Sequence, residues 1–93
     1  MSPAPEPAEL LDTLSKLISG FRQDGSKATI HWADWLEKAH DEIASRDFHG
    51  VERLLRAYGG MGSINDILAT PEQGRLLEQA WELANALKRE YQT

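Results

Sequence analysis

The sequence predicts an all-α protein, a small four-helix bundle in a single domain that spans residues 1–93. Apolar residues recur at intervals of three and four along most of the chain, which is the period of an amphipathic helix. No run of residues alternates with a period of two for long enough to form a strand. The segments between the periodic stretches are short, and short connections favour antiparallel packing of consecutive helices.

The first helix is predicted to follow a flexible, proline-rich lead-in. Residues 1–6 alternate proline with small residues, a composition typical of extended chain. An apolar stripe about 100° wide then begins near residue 7. We expect Gly20 to end this helix, because glycine readily adopts the left-handed conformation of a helix end, and residues 22–26 to form a turn. The stripe consists of Leu10, Leu11, Leu14, Leu17, Ile18 and Phe21.

The second helix is predicted to run from Ser26 or Thr29 to Arg46, and the third to open near Asp47, whose side chain can cap it. Both have one apolar face. In the second helix this face contains Trp32, Trp35, Leu36, Ala39 and Ile43. In the third helix it contains Phe48, Val51, Leu54, Leu55 and Tyr58, whereas His49, Arg53 and Arg56 are expected on the outer face.

A Gly-rich loop at residues 59–63 is predicted to separate the third and fourth helices, and a short helical turn at residues 63–68 to follow it. The fourth helix has a strong start signal. Thr70 can cap it, Pro71 suits its first position, and Gln73 can close a capping box. Trp81 lies at the edge of its apolar side, which consists of Leu76, Leu77, Ala80, Leu83, Ala84, Leu87 and Tyr91.

The composition excludes several classes of function. The chain has no cysteine, which excludes disulfides, thiolate metal sites and a catalytic thiol. Ten basic residues against 15 acidic ones give a net charge of −5, whereas nucleic-acid binding needs a clustered positive surface. No stretch approaches the ~18 apolar residues of a membrane span, and the first residues lack the basic and apolar regions of a signal peptide. We therefore expect a cytoplasmic protein that binds neither nucleic acid nor membranes.

The histidines and the glycine loop do not predict an enzyme, a metal site or a cofactor. His31 and His40 are nine residues apart on one helix, which places them on opposite flanks, and His49 lies on another helix. The glycine loop follows no strand and precedes no lysine, so it lacks the pattern of a phosphate-binding loop. The hypothesis of a small enzyme or a phosphate-binding protein is therefore supported only by the glycines of this loop.

Three features indicate protein binding instead. Asp34, Glu37 and Asp41 form an acidic row opposite the tryptophans of the second helix, which is typical either of a solvated face or of a strip that recognises a basic partner. Trp81 is predicted either to join the core or to anchor an interface, because tryptophan is enriched at binding hot spots. Met61, in the glycine loop, would be an adaptable apolar contact.

Residues 48–68 resemble a small bacterial family. The matching pattern is F-x-G-V-x-R-L-L followed by Y-G-G-M-G-S, a hydrophobic residue and N-D, and it covers about a quarter of the chain. Members of this family are short helical proteins found near bacterial toxins, and they look like immunity proteins. The resemblance implies a non-enzymatic binder and carries over no catalytic residue. The pattern is formed by Phe48, Gly50, Val51, Arg53, Leu54, Leu55, Tyr58, Gly59, Gly60, Met61, Gly62, Ser63, Ile64, Asn65 and Asp66.

The sequence and this resemblance together predict an immunity protein that neutralises a basic toxin or effector by occluding its active site. The acidic row would steer the partner, and four further residues would contact it. The alternative is a homodimeric structural or regulatory helix bundle without a toxin partner. This alternative is favoured by the apolar stripe of the fourth helix, which extends as far as Trp81, as the seam of a dimer would. The predicted contact residues are Met61, Asn65, Asp66 and Trp81.

Overall fold

The computed structural model describes residues 7–58, 64 and 70–91, and these contain four α-helices and no strand. The helices pack in a ring in which α1 and α3 each contact both α2 and α4. The predicted all-α four-helix bundle is confirmed. The predicted lead-in at 1–6 lies outside the described residues, as does nearly all of the Gly-rich loop and the helical turn. The helices are α1 (Ala8–Asp24), α2 (Lys27–Ala44), α3 (His49–Arg56) and α4 (Pro71–Tyr91).

The prediction that Gly20 ends the first helix is wrong. The helix continues to Asp24, and Gly25 ends it in the left-handed conformation with φ 72°. The Gly25 N–H donates a hydrogen bond to the Phe21 carbonyl over 3.2 Å. Phe21 is fully buried, so the helix must extend beyond Gly20 to bring this ring into the core. A connection of only two residues then leads into α2, which fixes α1 and α2 as antiparallel neighbours.

The side-chain caps agree with the sequence signals. The Ser26 hydroxyl accepts a hydrogen bond from the Thr29 N–H over 3.2 Å and so caps α2. At the start of α4 the Thr70 N–H donates to Gln73 Oε1, and the Gln73 N–H donates to Thr70 Oγ1, both over 3.1 Å. The predicted capping box is confirmed. It satisfies two backbone donors that the first turn of a helix otherwise leaves unpaired.

The core runs through the centre of the ring and draws on all four helices. Most of the predicted inner positions are buried, including Trp32, which is 9% exposed. Ile64 is fully buried as well, and its N–H donates to the Ala57 carbonyl over 2.8 Å. The buried apolar residues are Leu10, Leu14, Leu17, Phe21, Trp32, Ala33, Leu36, Ala39, Ile43, Val51, Leu54, Ala57, Ile64, Leu77, Ala80, Ala84 and Leu87.

Gly50 sets the position of α3 against α2. A Cβ at this glycine would lie 2.7 Å from the Ala39 carbonyl oxygen and 2.8 Å from both Glu42 Cβ and Ile43 Cγ1. Real Cβ atoms do not approach backbone oxygens this closely, so only glycine allows this packing. The buried face of α3 is therefore centred on Gly50, Val51, Leu54 and Ala57.

Phe48 was predicted on the inner face of α3, but the structure leaves its side chain 43% exposed. The cause is the rotation of α3 about its axis. Because Gly50 faces α2, the centre of the buried face is turned by about 120° from Phe48, at 100° per residue. The predicted Asp47 cap is off by one residue: Phe48 is the N-cap of α3 and makes no side-chain capping hydrogen bond. The Asp47 carboxylate, one residue earlier, accepts a hydrogen bond from the His49 N–H over 3.1 Å.

Two hydrogen bonds connect α3 and the residues after it to their neighbours. The Trp35 indole N–H donates to the Arg53 carbonyl over 2.9 Å, which ties α2 to α3. The Tyr58 hydroxyl donates to the Leu77 carbonyl over 2.6 Å, which ties the end of α3 to α4. Burial raises the pKa of Tyr58 and so keeps the phenol protonated as a donor. Both donors are therefore satisfied at the edge of the core.

We predict that Gly50→Ala lowers the free energy of unfolding by about 1–3 kcal/mol, because the added methyl group forces α3 away from α2. Gly74→Ala is the matched control, since nothing lies within 4 Å of a Cβ at this position in α4. The control should raise stability by about 0.5–1 kcal/mol through helix propensity alone. Urea denaturation of both variants tests this. Equal stabilisation by the two substitutions would show that the contact at Gly50 does not constrain the fold.

Candidate protein-binding surfaces

The acidic row lies on the outer face of α2, as the sequence predicts. The side chains of Asp34, Glu37 and Asp41 are 68%, 49% and 70% exposed. Their spacing of three and four residues aligns them on one face of the helix. The row follows the seam between α1 and α2, and its carboxylates reach into solvent rather than into a pocket.

Arg22, in the last turn of α1, lies between two carboxylates of the row. Its Nη2 atom is 3.2 Å from Asp34 Oδ1 and also forms an ion pair and hydrogen bond with Glu37. The hydrogen bond that Arg22 donates to the Glu37 carboxylate raises the pKa of Arg22 above its ordinary value. The sequence pattern predicts Arg22 in a turn, so it does not reveal this counter-ion. The signal that could have identified it is a helix that continues to Gly25, which puts Arg22 beside α2.

Asp41 interacts with a histidine rather than with an arginine. His40 Nδ1 is 3.2 Å from Asp41 Oδ1, and the other ring nitrogen is 3.4 Å from Ser15 Oγ on α1. The His40 ring therefore spans the α1–α2 seam at the end of the row that is remote from Arg22. Three carboxylates and one guanidinium leave the row and Arg22 with a net charge of −2 when His40 is neutral.

Trp81 is on the surface and not in the core. Its side chain is 47% exposed, and it lines an open groove with Glu82, Asn85 and Arg89 on α4. The Asn85 amide donates a hydrogen bond to the Trp81 carbonyl over 2.9 Å. Of the two alternatives that the sequence left open, the core position is therefore excluded. An exposed tryptophan beside polar groups has the composition of an interface hot spot.

The acidic row and Trp81 lie on opposite sides of the bundle. Arg22 and Glu37 place the row on the α1–α2 seam. Lys88 lines a groove with Glu52 on α3, and it is seven residues from Trp81, so this side of α4 borders the α3–α4 seam. Because α1 and α3 each contact both α2 and α4, the α1–α2 seam and the α3–α4 seam lie on opposite sides of the ring. The structure therefore separates two features, the acidic row and Trp81, that were expected to contact the same partner.

Three predicted contact residues, Met61, Asn65 and Asp66, lie outside the described residues, as do the loop glycines. Their neighbour Ile64 is described, and it is a core residue.

Arg53 is not on the outer face of α3, contrary to the prediction. Its Nε atom donates to Glu42 Oε1 on α2 over 2.5 Å, and the two side chains are only 29% and 21% exposed. The hydrogen bond from Arg53 holds the pKa of Glu42 below its ordinary value of 4.5, and Glu42 raises the pKa of Arg53. This pair crosses the α2–α3 contact next to Gly50, so its role is structural.

The histidines occupy three separate environments. The His31 ring contacts Trp32 edge-on, with ring centroids 4.8 Å apart, and His49 Nδ1 is 2.9 Å from Asp47 Oδ1. Across residues 7–58, 64 and 70–91, no three His, Asp or Glu side chains come together as metal ligands could.

An open groove at the start of α3 is lined by Phe48, Asp47, His49 and Lys88, among others.

A family model provides the assignment that the geometry alone cannot. It matches residues 22–78, more than half of the chain, and its description is Domain of unknown function (DUF6966). The chain belongs to this family. The DUF6966 match begins at Arg22 and therefore includes the acidic row, its counter-ion and the Gly50 contact. No curated protein and no solved structure matches the chain. In the described part of this DUF6966 member, no helix has the length and apolar character to cross a membrane.

We predict that the Glu42–Arg53 pair makes stability depend on acidic pH. Because folding lowers the pKa of Glu42, the pair stabilises the fold above the ordinary pKa of 4.5, and this contribution disappears as the pH falls through the lower, folded-state pKa. Glu42→Gln should therefore be less stable than the wild type near pH 6, and the two should converge as the pH falls from 4.5 through the lowered, folded-state pKa of Glu42. Urea denaturation across this range measures the difference. Arg53→Gln should lose the same pH-dependent contribution, and a constant difference at every pH would contradict the assignment.

Proposed function

We propose that the chain is a non-enzymatic protein-binding module, an immunity protein that neutralises a basic bacterial toxin or effector in the cytoplasm by occluding its active site. The observation that carries this proposal is the exposed acidic row on α2. The resemblance of residues 48–68 to helical proteins of toxin neighbourhoods supports the choice of partner. The family assignment names no activity.

The geometry of the row favours binding over catalysis. A carboxylate becomes an effective general acid or base when its surroundings move its pKa toward the working pH, which usually requires a desolvated pocket. Asp34 and Asp41 lie instead on a convex helix face and are more than two-thirds exposed. Exposed like charges in a row act over a longer range, because they attract a partner of opposite charge before contact and accelerate its association.

The charge of the row defines the chemistry of the partner. With Arg22 counted, the row retains a net charge of −2 toward solvent. Its matching surface is a cleft rich in arginine or lysine, such as one that binds a polyanionic substrate. A standard interface of about 800 Å² per partner would extend from the row over the outer faces of α1 and α2. A helix face of this size could cover such a cleft without entering it.

Reversing the charge of the row should abolish partner binding. We expect tagged wild-type chain to retain a basic protein from its native host, and the variant with Asp34→Lys, Glu37→Lys and Asp41→Lys to lose it, because the row would then repel the same surface. The control is Glu52→Lys, Glu72→Lys and Glu82→Lys, which makes the same change in net charge at exposed positions of α3 and α4, away from the row and from α1. Retention of the same protein by the row variant and by the control would contradict the proposal.

The captured protein also provides a functional test. Its expression alone should arrest growth of the host, and co-expression of the wild-type chain or of the control variant should restore growth. A captured protein that has no effect on growth would overturn the immunity function but not the binding function.

We predict that Arg22→Gln strengthens partner binding. In the wild type the Arg22 guanidinium competes with cations of the partner for Asp34 and Glu37. Removing it exposes one further negative charge, so the association rate constant should rise about two- to tenfold at low salt and the salt dependence should become steeper. Stopped-flow measurement at two ionic strengths checks this. Lys16→Gln, which frees Asp12 on α1 instead, should have a smaller effect. A slower association of the Arg22 variant would contradict the role of the row.

A further inference from the structure

The exposed side of α4 carries an ordered sequence of charge. Four residues at intervals of three, four and three lie along one face of this helix: Glu78, Trp81, Asn85 and Lys88. Glu78 and Trp81 are exposed, and Asn85 and Lys88 are half-buried. Within residues 7–58, 64 and 70–91, neither Glu78 nor Lys88 forms an ion pair. The face thus has an acid at one end, a base at the other, and a tryptophan between them.

The charges along this face are complementary to those on the same face of a second copy of α4 that runs in the opposite direction. If a second α4 runs antiparallel with the two-fold axis at the level of residue 83, Glu78 faces Lys88 of the other copy. Trp81 then faces Asn85 of the other copy, and symmetry repeats both contacts. The two Trp81 side chains are offset by about 6 Å along the helices, at 1.5 Å per residue, which is within the range of aromatic contact.

We propose that this face of α4 is a homodimer interface, in which two copies of the chain pair their fourth helices antiparallel about a two-fold axis. Charge complementarity selects a second copy as the occupant. A wholly basic partner would oppose Lys88 and the neighbouring Arg89, and a wholly acidic partner would oppose Glu78 and Glu82. A face with both charges in this order is neutral overall, and it matches its own symmetry mate.

The dimer does not depend on the proposed function. The acidic row lies on the α1–α2 seam, on the opposite side of the bundle, so dimerisation leaves both rows of the pair accessible. A failure of partner binding and a failure of dimerisation are therefore distinguishable, since the latter is measured on the purified chain alone. The row variant with three lysines should still dimerise.

Sedimentation equilibrium on the full chain tests the proposal. At low salt and concentrations up to about 1 mM, the wild type should approach twice its 10.4 kDa mass. Trp81→Ala should raise the dissociation constant at least about 30-fold, the loss expected for a hot-spot tryptophan. Glu78→Lys and Lys88→Glu should each raise it about tenfold, because each single reversal places like charges opposite each other twice.

The two charge reversals also provide a specific rescue. The double variant Glu78→Lys with Lys88→Glu should dimerise like the wild type, because it exchanges the charges of each pair. A mixture of the two single variants should form a heterodimer, in which both pairs are again opposite in charge. Lys27→Glu on α2 is the control and should leave the dissociation constant unchanged, with circular dichroism verifying that every variant is folded. A wild type that remains at 10.4 kDa throughout, or single variants that do not associate when mixed, would overturn the proposal.

Discussion

The close contact between α2 and α3 at Gly50 is the constraint on which the rest of the bundle depends. With only eight residues, α3 is too short to be stable on its own, so its position is set by what it packs against. Gly50 brings its backbone onto α2, and the Trp35 indole and the Glu42–Arg53 pair hold it there. Tyr58 then links the end of α3 to a carbonyl of α4. A change at one small residue would therefore reach the helix on the far side of the ring.

The ring arrangement also separates the surface into regions of different chemistry. The α1–α2 seam carries negative charge with Arg22 as a partial counter-ion, and the opposite side carries a tryptophan between an acid and a base. The proposed attraction of a basic protein and the proposed pairing with a second copy would need different surfaces. A bundle of four helices provides them without any increase in chain length, because each seam faces a different direction.

Local signals in the sequence predict local structure well. Apolar periodicity indicates all four helices, and Thr70 with Gln73 predicts the start of α4, because a capping box involves only neighbouring residues. Gly20 gives a wrong end for α1, because glycine occurs both at helix ends and within helices. The burial of Phe21, the next residue, requires the helix to continue. Arg22 and Arg53 could not be assigned to their carboxylates, because an ion pair between helices depends on how far each helix is rotated about its axis. Periodicity gives the apolar face only to within some tens of degrees.

The three tryptophans differ in burial and in their hydrogen bonds, so they are intrinsic probes of different parts of the protein. Trp32 is buried in the core, the Trp35 indole is hydrogen-bonded across the α2–α3 contact, and Trp81 is in solvent. Each indole N–H gives one resonance in a nitrogen–proton NMR spectrum. The Trp35 resonance should respond to release of α3 and the Trp81 resonance to events at the surface of α4. The Trp32 and Trp35 rings are 5.5 Å apart, so their resonances should change together when the core is lost. Global unfolding could be told apart from partial opening in one experiment, without any added label.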